Sequence, residues 1–211
     1  MDVFAGWNDH MERLERNWRS LVTDSDTVVV AGDISWAMKL EETLTDFKFI
    51  DSLPGKKLFL KGNHDYWWTT AAKFYRFCAE NGWDDIFLLH NNCYEYGGFA
   101  LCGTRGWFYE EDKEGTHDEK VFRRELIRLE TSLKAAGELP RLCFLHYPPR
   151  YRGYTCPEIL ALLKQYRVAA CYYGHLHSDS HKLAVEGDFD GTHFQLLSAD
   201  YINFTPVKLL D

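Results

Sequence analysis

Four short polar clusters carry the side chains best suited to chemistry: Gly32-Asp33, Gly62-Asn63-His64-Asp65, His146 and Gly174-His175-Leu176-His177. Together they offer carboxylate, carboxamide and imidazole groups, and no thiol. Borderline nitrogen combined with hard oxygen suits Mn²⁺, Fe or Zn²⁺. Taken singly, each cluster is ordinary. Gly-Asp after a strand makes a turn and caps a helix, Asn tolerates left-handed backbone angles, and a strand-end His can be a satisfied core residue. Yet every one of them follows an apolar run that reads as a strand. Ligand sites in open α/β sheets gather at the carboxyl ends of strands, so the four clusters in order point to one crevice.

The elements that must position these residues can be read from periodicity. Thr27–Ala31 and Lys57–Leu60 are apolar, β-branched or leucine-rich runs ending at Gly32 and Gly62, as expected of strands buried on both faces. Helices are predicted from Asp9 to about Val22, Lys39 to Asp51 and Thr70 to Asn81, the last closed by Gly82. Strand-loop-helix units in succession imply parallel pairing. Ile86–Leu89, Cys93–Tyr96 and Phe99–Cys102 then read as a meander, with Gly97-Gly98 as a hairpin turn. A helix over Thr116–Ala136 follows, then strand Arg141–Leu145 into His146, helix Pro157–Tyr166, and strand Val168–Tyr173 into Gly174-His175. Lys182–Val185, Thr192–Ser198 and Thr205–Leu209 are expected to finish the chain as strands. The fold class is therefore α/β, two mixed sheets packed as a sandwich with flanking helices, in a single domain over residues 1–211.

Composition bounds the function. With 45% apolar and 27% charged residues, the 211-residue chain is long enough to bury a core. A formal net charge of −8 gives no general positive field for a long nucleic acid. No apolar run approaches the about 20 residues that a membrane helix needs. Six cysteines without a C-x-x-C pair are expected to be reduced thiols in a cytoplasmic protein.

The ordered clusters resemble the calcineurin-like metallophosphoesterase superfamily, whose pattern is Asp-x-His, Gly-Asp, Gly-Asn-His-Asp/Glu, His and Gly-His-x-His. Four of the five blocks match across residues 32–177. The resemblance implies a phosphoesterase with two divalent metal ions. Asp33 would bridge them, Asn63, His146 and His175 would complete one site, and His177 would enter the other. His64 would be the catalytic residue facing the substrate phosphate. Two such metals, about 3.5–4 Å apart, hold a bridging hydroxide for in-line attack on the phosphorus of a phosphomonoester or phosphodiester.

The departure is at the front, where nothing before Gly32 matches Asp-x-His. Asp9-His10 has the wrong spacing. The chain reads as if the family's first strand and its loop, about 15–30 residues, were missing, which would weaken the metal site that His177 enters. The alternative reading is accordingly a catalytically impaired remnant that binds one metal or anion as a binding or regulatory module. Arg105 is a candidate for gripping the substrate phosphate with its planar fork. Trp36, Tyr66, Trp67, Trp68 and Trp107 could wall a flat substrate group, with core packing expected for at least half of them. Asp65 is expected to orient His64 or to cap the next helix, and His181 to have no metal role. The expected partner is a small phosphorylated substrate. Oligomeric state is not legible.

Overall fold

The computed structural model describes residues 6–107 and 116–210. Its first helix, α1 (His10–Leu21), buries Trp18, whose indole N–H donates to the Pro54 carbonyl at 2.9 Å. Strands β1 (Thr27–Val30), β2 (Lys56–Phe59) and β3 (Ile86–Leu88) form a parallel sheet in that order. Among the described residues β1 pairs on one side only, with β2. A 3-10 turn at Leu40–Thr43 leads into α2 (Leu44–Asp51), and α3 (Ala71–Asn81) follows β2. Thr70 caps α3 by accepting from Lys73 N at 3.4 Å, and Gly82 ends it with φ +76°.

The second sheet has six strands. Its hairpin, β4 (Cys93–Tyr96) and β5 (Phe99–Thr104), turns at Gly97-Gly98 as predicted. The later strands are β6 (Arg141–Leu145), the small ribbon β7 (Arg150–Tyr151) and β8 (Tyr154–Thr155), then β9 (Val168–Tyr173), β10 (Gly187–Phe189) and β11 (Thr192–Leu196). The order β10-β11-β9-β6-β5-β4 mixes parallel and antiparallel pairs. Helices α4 (Thr116–Ala135) and α5 (Pro157–Gln165) cover it.

Strand alternation makes three apolar layers. Leu58 and Leu60 from the first sheet meet Leu142, Phe144 and Tyr172 from the second, forming the inner layer. The intervening residues point outward: Phe59 joins Phe47 and Phe74 under α2 and α3, while Cys143, Leu145 and Cys171 join Leu129, Leu133, Ile159 and Leu163 under α4 and α5. This two-sheet α/β architecture aligns the carboxyl ends of β1, β2, β6 and β9, where the polar clusters begin. Among the described residues, no helix is long and apolar enough to cross a membrane.

Two expected strands are absent. Over Lys182–Val185 the chain instead forms a 3-10 helix at Ser178–Leu183. The Ser180 hydroxyl donates to the His177 carbonyl at 2.6 Å, a local bond that competes with extension. Thr205–Leu209 forms no strand. Here the Asn17 side chain donates to Phe204 O at 3.1 Å and Thr205 Oγ1 at 3.0 Å, where a ladder would have begun, and Leu209 packs on the inner layer. The ribbon β7–β8 and strand β10 were not anticipated; two- and three-residue strands carry too short a pattern to read.

Candidate metal centre

The loops after β1 and β2, which bring Asp33 and Asn63 to the centre, are in close backbone contact. Gly32 follows β1 with φ +92°, and Asp33 takes φ +55°, a left-handed angle that aims its carboxylate across at the loop after β2. A Cβ on Gly32 would lie 2.6 Å from His146 Nδ1, and one on Gly62 would lie 2.0 Å from Asp33 Oδ1. Glycine at both positions is thus a requirement of close approach. Asp65 binds the loops together. Its buried carboxylate accepts from the backbone N–H of Gly62 (2.7 Å), Asp33 (2.9 Å), Ile34 (2.8 Å) and Ser35 (3.2 Å), and from Trp67 Nε1 (2.9 Å). Burial still pushes this carboxyl above the ordinary range. With both oxygens committed to these donors, Asp65 neither orients His64 nor caps α3, which Thr70 caps.

Asp33, His146 and His175 each bring one ligand atom within 4.8 Å of the others. Asn63 Oδ1 sits among them, 2.7 Å from His146 Nε2 and 3.0 Å from His175 Nδ1, and Asp33 Oδ2 lies 3.5 Å from His146 Nε2. His146 Nδ1 is 2.9 Å from the Ala31 carbonyl, which can only accept, so Nδ1 carries the proton. Burial pushes the His146 imidazole down, favouring the neutral form, so Nε2 presents a lone pair. Burial, together with the neighbouring His146, pushes His175 down to about 3. The carboxylate, carboxamide and imidazole groups of these four residues thus converge on one point, and this mix of oxygen and imidazole donors suits a divalent cation. Second-sphere support is present as well, in the bond from His146 to Ala31.

A second group lies beside the first. His177, His181 and Asp200 also present ligand atoms within 4.8 Å of one another. His177 Nδ1 donates to Asp200 Oδ1 at 2.7 Å, and Ser178 N donates to Oδ2 at 2.8 Å. Burial alone would raise the Asp200 carboxyl; these donors and the charges of His177 and His181 hold it well below the carboxylate range. His177 stands two residues after His175 on the same turn beyond β9, so the chain itself links the two groups. His181, for which no metal role was expected, is carried to within 3.2 Å of Asp200 Oδ2 by the 3-10 helix. Asp200 was missed: it lies in an irregular segment far along the chain from the motif, and its sequence neighbours give no signal.

Around the centre, His64 stacks on Trp36 with ring centroids 4.6 Å apart, and its Nδ1 lies 3.4 Å from the Tyr66 hydroxyl. Trp36 and Tyr66 are exposed at 50% and 55%, whereas Trp67 and Trp107 are buried in the core. The expected aromatic wall thus divides into a surface pair and core residues. Arg105 accepts from His146 N (3.1 Å) through its carbonyl, so its backbone borders the centre. Its Nε is buried without a hydrogen-bond partner, and Glu125 lies 3.8 Å from Nη2. Lys61, half-buried beside Arg105, adds a cation that the motif reading passed over; burial first, then the Arg105 charge, lowers its pKa.

Comparison with known proteins adds three findings. No curated protein matches the chain. Among solved structures, TT1561 of Thermus thermophilus shares 15% identity at a TM-score of 0.54, covering 82% of this chain and 78% of its own. A protein of unknown function from Aquifex aeolicus, AQ665, shares 14% identity at a TM-score of 0.49, covering 97% of this chain and 82% of its own. At these identities TT1561 supports the fold alone. The family model for calcineurin-like phosphoesterases matches residues 2–179, spanning all four polar clusters, and the chain belongs to that family.

Proposed function

We propose that this chain hydrolyses a small phosphomonoester or phosphodiester using two divalent cations of the Mn²⁺, Fe or Zn²⁺ type. The observation that carries the reading is the convergence of Asp33, Asn63, His146 and His175, whose oxygen and imidazole groups meet at one point. Divalent cations bound there would polarise the phosphoryl oxygens and lower the pKa of water. Asp33 would contribute to both positions and Asn63, His146 and His175 to one, with His177 entering the other.

The remaining chemistry belongs to the protein. His64, held by Trp36 and close to the Tyr66 hydroxyl, is placed to give a proton to the departing alkoxide. Arg105, with an unpartnered buried Nε, supplies a fork for the phosphate oxygens, and Lys61 adds charge behind it. Trp36 and Tyr66 offer a face for a flat leaving group. The free cysteines support a reducing, cytoplasmic setting, and the net charge of −8 favours a small substrate over a long nucleic acid.

The test uses the full chain loaded with Mn²⁺ and given an aryl phosphomonoester or diester. Turnover of one of them is expected, with kcat/KM reduced about 10²-fold in Arg105→Ala through loss of a charge-assisted phosphate contact. A folded, metal-loaded chain that turns over neither ester overturns the hydrolytic reading and leaves a metal-binding or regulatory module.

A further inference from the structure

We propose that His177, His181 and Asp200 hold a divalent cation, with ligands drawn from the carboxyl-terminal part of the chain. The inference rests on the proposed function and deepens it, since it adds His181 and Asp200 to the Asp33 and His177 assigned there to the second cation position.

Two independent features carry it. The first is the donor set: two imidazoles and a carboxylate converge within 4.8 Å. Two histidines and one carboxylate are a recurrent set for Zn²⁺ and related ions, with water completing the sphere. The second is an orphaned atom. His181 Nε2 is buried and makes no hydrogen bond, although it lies 3.2 Å from Asp200 Oδ2. The nitrogen is within reach of the oxygen but is not aimed at it, which is the relation between two ligands facing a common third atom. Ligand atoms around a tetrahedral ion with bonds of about 2.0–2.1 Å stand about 3.3 Å apart, close to the observed separation.

The surrounding structure holds this arrangement in place. Ser178 N fixes the Asp200 carboxylate, and Ser178 itself takes φ +51°, turning the chain from His177 into the 3-10 helix that carries His181. Asp200 arrives on a segment secured to α1: Arg13 donates to the Asn203 side chain, and Asn17 to Thr205 Oγ1 at 3.0 Å. Trp7 stands edge-on to His177 with centroids 5.6 Å apart, and Tyr201 edge-on to His181 at 5.2 Å, so ring faces limit how far either imidazole can swing. Cation binding replaces the proton that His177 Nδ1 now gives to Asp200, and that proton leaves to Nε2 or to solvent.

The experiment counts metal. Full-length chain is stripped with chelator, dialysed against Zn²⁺ alone, and its metal measured by mass spectrometry for wild type, His181→Ala, Asp200→Asn and Asn63→Ala. Expected are two equivalents in the wild type and one in each variant. With His181→Ala and Asn63→Ala combined, Zn²⁺ is no longer retained. A wild type holding one equivalent that Asn63→Ala abolishes and His181→Ala leaves intact overturns this inference while the proposed function stands. One equivalent lost in His181→Ala and kept in Asn63→Ala supports the inference and overturns the metal position assigned to Asn63. A wild type holding none overturns both. Should a variant fail to fold, histidine nitrogen-15 spectra of the wild type decide: the His181 ring resonances must move on Zn²⁺ addition, and their failure to move overturns the proposal.

Discussion

Asp65→Asn isolates the joint between the loops that follow β1 and β2, because the two side chains share a shape and differ in what they can accept. The Asp65 carboxylate takes three donors at Oδ1, from Ile34 N, Ser35 N and Trp67 Nε1, and two at Oδ2, from Gly62 N and Asp33 N. Asn has a single acceptor oxygen. In its better orientation that oxygen keeps the three Oδ1 donors and sets its NH₂ against the N–H groups of Gly62 and Asp33. Two enclosed donors without partners cost about 1–3 kcal/mol each, hence about 2–6 kcal/mol together. The flipped orientation strands three donors and is worse. Since a domain is stable by only about 5–15 kcal/mol, the loss is a large share of the whole. At a urea dependence of about 2.5 kcal/mol per molar, a loss of about 4 kcal/mol lowers the unfolding midpoint by about 1.6 M. Urea unfolding of the metal-free chain at pH 7.5, followed by tryptophan fluorescence and circular dichroism, measures it. A midpoint shift below about 0.3 M at unchanged slope refutes the reasoning. Because one of the two lost partners is the Asp33 amide, Mn²⁺ affinity should fall as well.

Three further outcomes are expected. Gly62→Ala puts a methyl 2.0 Å from Asp33 Oδ1 and 2.2 Å from Asp33 N, so backbone must move; a loss of at least about 3 kcal/mol, seen in thermal melting, is expected, and a near-native melting temperature contradicts it. His64→Ala should lower kcat about 10²- to 10⁴-fold with metal content unchanged, whereas parallel loss of metal and activity would make His64 a ligand. Burial pushes His90, His146 and His175 down, the last to about 3, so as pH falls below 6.5 the unfolded chain takes up protons more readily than the folded chain. The metal-free protein therefore loses stability as pH falls from 6.5 to 5, His175 alone contributing up to about 1.4 kcal/mol per pH unit, and a melting temperature flat across that window would count against it.

What the sequence revealed and what it hid follow from the range of the interactions involved. Arg141–Leu145 and Val168–Tyr173 stand as strands with the expected bounds, because alternation, turn glycines and the following His or Gly are all local signals. The same locality made Asp33, Asn63, His146 and His175 readable as one set: each ends a strand, and parallel strands bring their ends together. Asp200 was illegible. It meets His177 on a segment whose residues 203–205 dock on α1, a contact some 190 positions apart in the chain. The approach of His181 to Asp200 was hidden for a related reason, since an expected strand over Lys182–Val185 concealed the 3-10 turn that carries it. The role of Asp65 needed both loops in place before its five donors could be counted.

The central claim, that these residues make a metal-dependent phosphoesterase, is tested most directly by ester hydrolysis before and after removal of metal. Full-length chain is treated with chelator, assayed on aryl phosphate esters, then titrated with Mn²⁺ beside an Asp33→Asn variant. The account predicts no turnover without metal, saturable recovery on titration, and none in the variant. Turnover indifferent to chelation or to Asp33→Asn would contradict it.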